Sequence, residues 1–114
     1  MRIALDVMGG DHAPRQIMLG AQDGLRFLGP SDELVLYGPR EVIEAEQREL
    51  GLNDARIRIE HCTQVIGMDE SPVDALRSKR DSTISRMAAA AGKNELDGVI
   101  SAGHARVLVG IEDR

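Results

Sequence analysis

Two kinds of apolar pattern alternate along this chain, one typical of strands and one typical of helices. Short runs of strand-forming residues recur at positions 2–7, 33–37, 57–60 and 98–101, and the length of these runs is typical of strands in a buried sheet. The segments between them place apolar residues three or four positions apart, as on one face of a helix. Strands that alternate with helices predict an α/β fold with a mostly parallel sheet, covered by helices on both faces.

Glycine and proline mark the ends of the predicted helices. A helix over residues 14–28 precedes the second strand, and a helix over residues 39–50 is expected to end at Gly51 in the left-handed conformation. A segment similar to a capping box at residues 71–74 predicts a short helix, and a longer helix over residues 82–91 is expected to end at Gly92. The apolar face of the first helix contains Ile17, Ala21, Leu25 and Leu28.

The segment between the first strand and the first helix contains a glycine pair, Gly9 and Gly10. Paired glycines can adopt positive φ and let a ligand approach the backbone, and the helix that follows offers unpaired N–H groups to an anion such as phosphate. The alternative is a tight turn without a ligand. Asp6 and Asp11 flank the pair and could orient a nucleophile, hold a metal or cap the helix, and His12 beside the turn is a candidate general acid or base, or else an exposed turn residue.

In an open parallel sheet, ligands bind at the carboxyl ends of the strands. If the first and last strands are neighbours, the turn at Gly9 and Gly10 and the turn after Ser101 face the same crevice. The Ser101 hydroxyl could then donate to an anion held by the backbone N–H groups of Gly9, Gly10 and Gly103. The alternative for residues 101–103 is a turn of small residues that lets helix and strand pack closely.

Composition narrows the class of protein. A length of 114 residues allows a single domain, and a net charge of -5 with one Phe, one Tyr and no Trp argues against nucleic-acid binding. A single cysteine, Cys62, excludes an internal disulfide and is expected to be a buried thiol.

The chain begins with a strand and has no run long enough to span a membrane, so we expect a cytoplasmic protein, with peripheral membrane association left open. The three histidines lack metal-ligand spacing, and His61 is expected to pack.

Four segments in order resemble the bacterial phosphate acyltransferase (PlsX) family: residues 6–14, 65–72, 77–82 and 101–103. The resemblance implies an enzyme of phospholipid synthesis that moves a fatty acyl group from acyl carrier protein to inorganic phosphate. The acyl phosphate produced would serve a glycerol-phosphate acyltransferase. It also implies a homodimer and a three-layer, Rossmann-like sheet similar to isopropylmalate dehydrogenase, of which residues 1–114 form the N-terminal α/β portion.

The reaction implied by the resemblance requires neither a metal nor an organic cofactor, because a phosphate oxygen attacks the thioester carbonyl directly. Asp6 and His12 are then the candidate catalytic residues. A basic group of Arg77, Lys79 and Arg80 would contact phosphate or the acidic carrier protein, or else form a solvated helix end.

The chain departs from the family pattern in two ways. Residues 104–107 are His-Ala-Arg-Val where the family usually has Asn-Thr-Gly-Ala, so a hydroxyl and a glycine are missing from the loop after Gly103. Family members are also far longer. This polypeptide is then a fragment, a frameshifted product or a degenerate relative, and we expect it to be inactive alone. The alternative is a non-catalytic α/β module that binds phosphate or acyl carrier protein.

Overall fold

The computed structural model describes residues 1–65 and 71–101, which form four strands, four α-helices and one 3₁₀ turn. The strands are β1 (Arg2–Asp6), β2 (Glu33–Gly38), β3 (Ile57–His61) and β4 (Gly98–Ile100). The helices are α1 (Arg15–Gly24), α2 (Arg40–Leu50), α3 (Pro72–Ser78) and α4 (Thr83–Gly92), and the 3₁₀ turn Leu25–Phe27 follows α1 directly.

The four strands form one parallel sheet in the order β3-β2-β1-β4. Ala4 of β1 pairs with Val35 of β2 on one side and with Val99 of β4 on the other. The prediction of a parallel α/β sheet is confirmed, and so is the condition that the first and last strands are neighbours. The turns that follow β1 and β4 therefore leave the sheet side by side.

Helices cover both faces of the sheet and form two separate cores. Successive residues of a strand point to opposite faces, and β1 accordingly sends Leu5 to one core and Ala4 to the other. On the first face, Leu5 packs with Met18 of α1 and Ile43 of α2. On the second face, the core contains Ala4, Val35, Tyr37, Cys62, Ile84 and Met87, the last two from α4. The result is the three-layer arrangement that the alternation of strands and helices predicts.

The helix boundaries confirm the predicted ends of α2 and α4 and correct the length of α1. Gly51 ends α2 with φ 64°, as expected. Gly92 is the last residue of α4, as predicted, and the residue with positive φ is Asn94 (φ 59°) two positions later. Asparagine tolerates the left-handed conformation better than other residues with a Cβ atom, so the chain can reverse there without glycine. The predicted first helix, residues 14–28, is shorter than expected because its last turn is 3₁₀.

Two helix starts are stabilised by serine side chains. The Ser71 hydroxyl accepts a hydrogen bond from the N–H of Asp74 (3.4 Å), which confirms half of the predicted capping box at α3. Ser82 caps α4, since its hydroxyl accepts from the N–H of Ser85 at 3.3 Å. Within residues 1–65 and 71–101, no helix is long and apolar enough to cross a membrane.

Candidate functional site

The turn after β1 folds tightly around the side chain of Asp6. The N–H of Val7 still bonds to the Tyr37 carbonyl of β2 (3.0 Å), so the chain leaves the sheet only after this residue. The N–H of Met8 then donates to Asp6 Oδ1 (3.1 Å), and the N–H of Gly9 donates to the Asp6 carbonyl (3.4 Å). The carboxylate thus fixes the first residues of its own turn, in the manner of an Asx turn.

The two glycines of the turn are required for different reasons. A Cβ atom on Gly9 would lie 2.8 Å from Asp6 Oδ2 and 3.0 Å from Ser101 Oγ, which is closer than side chains pack. Gly9 therefore has to be small, while its φ is not in the left-handed region. Gly10 has φ 95°, a conformation that residues with a Cβ atom rarely adopt. Of the pair, only Gly10 uses the positive φ that the sequence suggested for both.

Asp6 and Ser101 form a buried polar pair that joins β1 to β4. The last paired residues of these strands are Leu5 and Ile100, so the residues that follow them, Asp6 and Ser101, lie side by side. The Ser101 hydroxyl donates to Asp6 Oδ2 at 2.9 Å. Only 1% of Asp6 and 7% of Ser101 is exposed, so water contributes little to solvating this carboxylate. Its oxygens rely on the Met8 N–H and the Ser101 hydroxyl instead.

His12 lies in the same turn with its side chain exposed. Its carbonyl accepts a hydrogen bond from the N–H of Gln16 (3.1 Å), just before the first turn of α1. In the described part of the chain, no hydrogen bond connects the His12 imidazole to Asp6 or Ser101. The structure therefore places the two candidate catalytic residues in one turn but in different environments, buried for Asp6 and open for His12. Gly103 and residues 104–107 lie outside the described residues.

The basic group spans the end of α3, more than 60 residues after the glycine turn in sequence. Arg77, in the last turn of α3, and Arg80 are exposed. Lys79 is half-buried, and its ammonium group donates to the Val65 carbonyl at 3.1 Å. This contact places Lys79 beside the segment that follows β3, while Arg77 and Arg80 are exposed as at a solvated helix end.

A second polar cluster, which the sequence did not reveal, connects the end of β3 to the start of α4. Asp81 accepts hydrogen bonds from the N–H and the hydroxyl of Thr63, and it forms an ion pair with Arg86 (2.7 Å). The Thr63 hydroxyl, followed by Arg86, lowers the pKa of Asp81 to about 2. Arg86 also bonds to Glu60 of β3 at 2.7 Å. Because these partners are up to 26 residues apart, no local sequence motif marks the cluster.

Cys62 and His61, at the end of β3, contribute to packing and to helix capping. Burial raises the pKa of the Cys62 thiol to about 12, so at neutral pH the group is a thiol and a poor nucleophile. His61 Nδ1 accepts a hydrogen bond from the N–H of Arg40 (3.0 Å), the first residue of α2. His61, which we expected only to pack, therefore caps a helix from a neighbouring strand.

The part of the chain that the structure describes contains no group of three or more histidine, cysteine or acidic side chains that could hold a metal ion. What the carboxyl end of the sheet does offer is a glycine turn with a buried carboxylate and hydroxyl beneath it, followed by the start of a helix. The N–H groups of Met8 and Gly9 are already bonded to Asp6, contrary to the expectation for Gly9, so a small oxyanion would meet those from Gly10 onward.

Comparison with known proteins supplies a family for this chain. Residues 1–112 match the model of a family described as "Fatty acid synthesis protein". A phosphate acyltransferase of Thermoanaerobacter pseudethanolicus is 38% identical over 109 residues, which are 96% of this chain and 31% of that protein. A phosphate acyltransferase of Desulfitobacterium hafniense is 44% identical over 104 residues, or 90% of this chain and 30% of the relative. The chain thus spans about a third of the length of the curated relatives it matches.

Proposed function

The chain belongs to the fatty acid synthesis protein family, and from that premise we propose that its turn after β1 binds inorganic phosphate for acyl transfer. The proposed reaction is that of a phosphate acyltransferase of phospholipid biosynthesis. It moves a fatty acyl group from acyl carrier protein to phosphate, and the acyl phosphate then serves a glycerol-phosphate acyltransferase. Relatives that bear the name phosphate acyltransferase, and that align with nearly the whole chain, support this assignment.

The observation that carries the proposal is the buried Asp6–Ser101 pair beneath the glycine turn. A buried carboxylate costs free energy unless it is hydrogen-bonded, and here its partner comes from a strand 95 residues away in sequence. The pair lies at the carboxyl ends of two adjacent parallel strands, where open α/β sheets bind their ligands. Gly9 leaves no side chain over the pair, and the φ of Gly10 turns the backbone toward the start of α1.

In the proposed mechanism, a phosphate oxygen attacks the thioester carbonyl carbon. A carbon–oxygen bond forms, the carbonyl oxygen gains the negative charge, and collapse of this intermediate breaks the carbon–sulfur bond and releases the carrier thiolate. The backbone N–H groups of Gly10 and Gly103, with Ser101, hold the phosphate in line, while the Gly9 N–H stays on the Asp6 carbonyl. Rate acceleration then comes mainly from positioning and from stabilisation of the oxyanion.

Two further roles belong to the same proposal. His12 is exposed beside the turn, where it can exchange a proton with the departing thiolate, and Asp6 fixes the hydroxyl of Ser101. The exposed side chains of Arg77 and Arg80 can contact the acidic surface of a carrier protein, and Lys79, bonded to the Val65 carbonyl, adds its charge to the same group. We also propose that the protein assembles as a homodimer in the cytoplasm and makes peripheral contact with the membrane.

A segment exchange tests the function. The part of the Thermoanaerobacter pseudethanolicus enzyme that aligns with this chain is replaced by the corresponding residues of this chain. The hybrid is assayed for phosphate-dependent loss of acyl-acyl carrier protein, with hydroxylamine to trap the acyl phosphate. We expect turnover in the hybrid, and a loss of about tenfold or more when Ser101→Ala removes one polar contact. A folded hybrid without phosphate-dependent turnover would contradict the proposal.

The 114-residue polypeptide itself separates the enzyme from the alternative of a binding module. We expect this polypeptide to bind phosphate but to show no phosphate-dependent acyl transfer, since it aligns with only 31% of the relative's length. Turnover by the polypeptide alone would refute the expectation of inactivity. Phosphate binding together with an inactive but folded hybrid would favour a non-catalytic module that binds phosphate or acyl carrier protein.

A further inference from the structure

The polarity of the hydrogen bond between Asp6 and Ser101 determines which groups the pair can offer to a ligand. In the 2.9 Å contact the Ser101 hydroxyl donates to Asp6 Oδ2, so its hydrogen is directed at the carboxyl group. The serine side chain has only this one hydrogen that it can donate. While it points at Asp6 Oδ2, Ser101 presents lone pairs to the turn, and the pair as a whole acts as a hydrogen-bond acceptor.

The surroundings hold the pair in this orientation. Asp6 Oδ1 is occupied by the Met8 N–H (3.1 Å), so the carboxylate is fixed at both oxygens. Both residues are more than nine-tenths buried. A Cβ atom on Gly9 would lie 2.8 Å from Asp6 Oδ2 and 3.0 Å from Ser101 Oγ, so the backbone of Gly9 packs against the pair. An unfavourable contact made here would therefore not be relieved by solvent.

Oxyanions differ in whether they can satisfy such an acceptor. At neutral pH, phosphate and arsenate retain at least one hydroxyl group, which can donate to Ser101 Oγ. Sulfate is fully ionised and offers only lone pairs, so it would meet the lone pairs of Ser101 and the negative charge of Asp6. A buried acceptor that is left without a donor costs more than a solvated one.

We propose that the Asp6–Ser101 pair makes this site selective for oxyanions that carry a hydroxyl group, so that phosphate and arsenate bind and sulfate is rejected. The inference rests on the proposed phosphate site and adds its specificity. Asp6 is in this view a positioning residue, because it acts on the ligand through the hydroxyl of Ser101. Since the N–H groups of Met8 and Gly9 bond to Asp6, those from Gly10 onward supply the attraction that all three anions share.

The experiment is calorimetric titration of the 114-residue chain with phosphate, arsenate and sulfate at neutral pH and constant ionic strength. We expect phosphate and arsenate to bind with similar affinity and sulfate to bind about tenfold or more weakly, the ratio expected for one unmade hydrogen bond to a buried charged group. Equal binding of phosphate and sulfate would overturn the selectivity but leave the phosphate site standing. Failure of all three anions to bind would overturn the site as well.

The variant Asp6→Asn reverses the polarity of the pair. The asparagine oxygen can still accept from the Met8 N–H, while its NH₂ group can donate to Ser101 Oγ, which frees the serine hydrogen for the ligand. We expect the ratio of phosphate to sulfate affinity to fall by about tenfold or more, with sulfate binding more tightly than in the wild type. Unchanged selectivity in the folded variant would refute the role of Asp6.

Two further variants separate this effect from changes in net charge and in folding. Asp23→Asn changes the net charge equally but lies exposed at the far end of α1, and it should leave the anion selectivity as in the wild type. Ser101→Ala removes the acceptor for the phosphate hydroxyl, so phosphate should bind more weakly, while sulfate should not bind more tightly because the Asp6 charge remains. If Asp6→Asn does not fold, which circular dichroism would show, the wild-type selectivity and Ser101→Ala still decide the proposal.

Discussion

Replacement of Gly9 by alanine tests whether the turn after β1 is packed against the Asp6–Ser101 pair. The added Cβ would lie 2.8 Å from Asp6 Oδ2, 3.2 Å from Asp6 Cγ and 3.0 Å from Ser101 Oγ. Neither side chain can rotate away freely, since Asp6 is bonded to both Met8 and Ser101. Relief of the overlap therefore requires that a hydrogen bond to the carboxylate be lengthened or broken.

The expected change in the free energy of unfolding follows from the weakened hydrogen bond to the carboxylate. A hydrogen bond to a charged group contributes about 1.5–3 kcal/mol, and a Gly→Ala change gains about 0.4–1 kcal/mol by restricting the unfolded chain. We expect Gly9→Ala to lower the free energy of unfolding by about 1–2 kcal/mol. Gly20→Ala is the matched control, because a Cβ atom there meets nothing within 4 Å on the exposed face of α1. It should raise the stability by about 0.4–1 kcal/mol.

The assay is urea unfolding followed by circular dichroism, with the free energy taken by linear extrapolation. The slope of the transition should be the same for both variants, which would show that the unfolded states are comparable. The reasoning would be refuted if Gly9→Ala were as stable as Gly20→Ala. It would also be refuted if Gly9→Ala were destabilised while phosphate binding remained at the wild-type level, because the overlap displaces Ser101 Oγ directly.

Three further outcomes are expected. The pKa of Asp81 is lowered to about 2 by the Thr63 hydroxyl and Arg86, so its contribution to stability is present above the unfolded pKa near 4 and is lost as pH falls toward about 2. Thermal melts across this range should show a smaller loss of Tm for Asp81→Asn than for the wild type, and parallel curves would contradict the pairing. Ser82→Ala, which removes the cap of α4, should cost about 1 kcal/mol in urea unfolding, and no change would count against the cap. The Cys62 thiol, with its pKa raised to about 12 by burial, should react with a disulfide reagent near pH 8 about a hundredfold or more slowly in the native than in the denatured protein; equal rates would show that it is accessible.

Much of the fold could be predicted because each element satisfies its own local requirements. Gly51 ends α2 in the left-handed conformation, and Ser82 starts α4, since turn and cap chemistry depend on neighbours within a few residues. The parallel sheet followed from the alternation of strand and helix periods, because parallel neighbours need a crossover connection. The end of α4 at Gly92 was predicted as well, although the residue in the left-handed conformation is Asn94, two positions later.

The candidate site could be predicted only in part. The sequence indicated the turn and the residue types, including Asp6, Gly9, Gly10 and Ser101. It did not indicate that the Ser101 hydroxyl donates to Asp6, which removes that hydrogen from any ligand. The Asp81 cluster and the cap that His61 provides for α2 were also missed, because their partners come from different strands and helices.

The sequence by itself determined which elements form and where most of them begin and end, because strand and helix periods, caps and glycine turns act over a few residues. Only the tertiary structure decided that Leu5 pairs with Ile100 and hence that Asp6 meets Ser101. The order of strands and their register are set by the packing of two cores on opposite faces of the sheet, a property of the whole chain. The direction of one buried hydrogen bond, and with it the proposed choice between phosphate and sulfate, depends on that register.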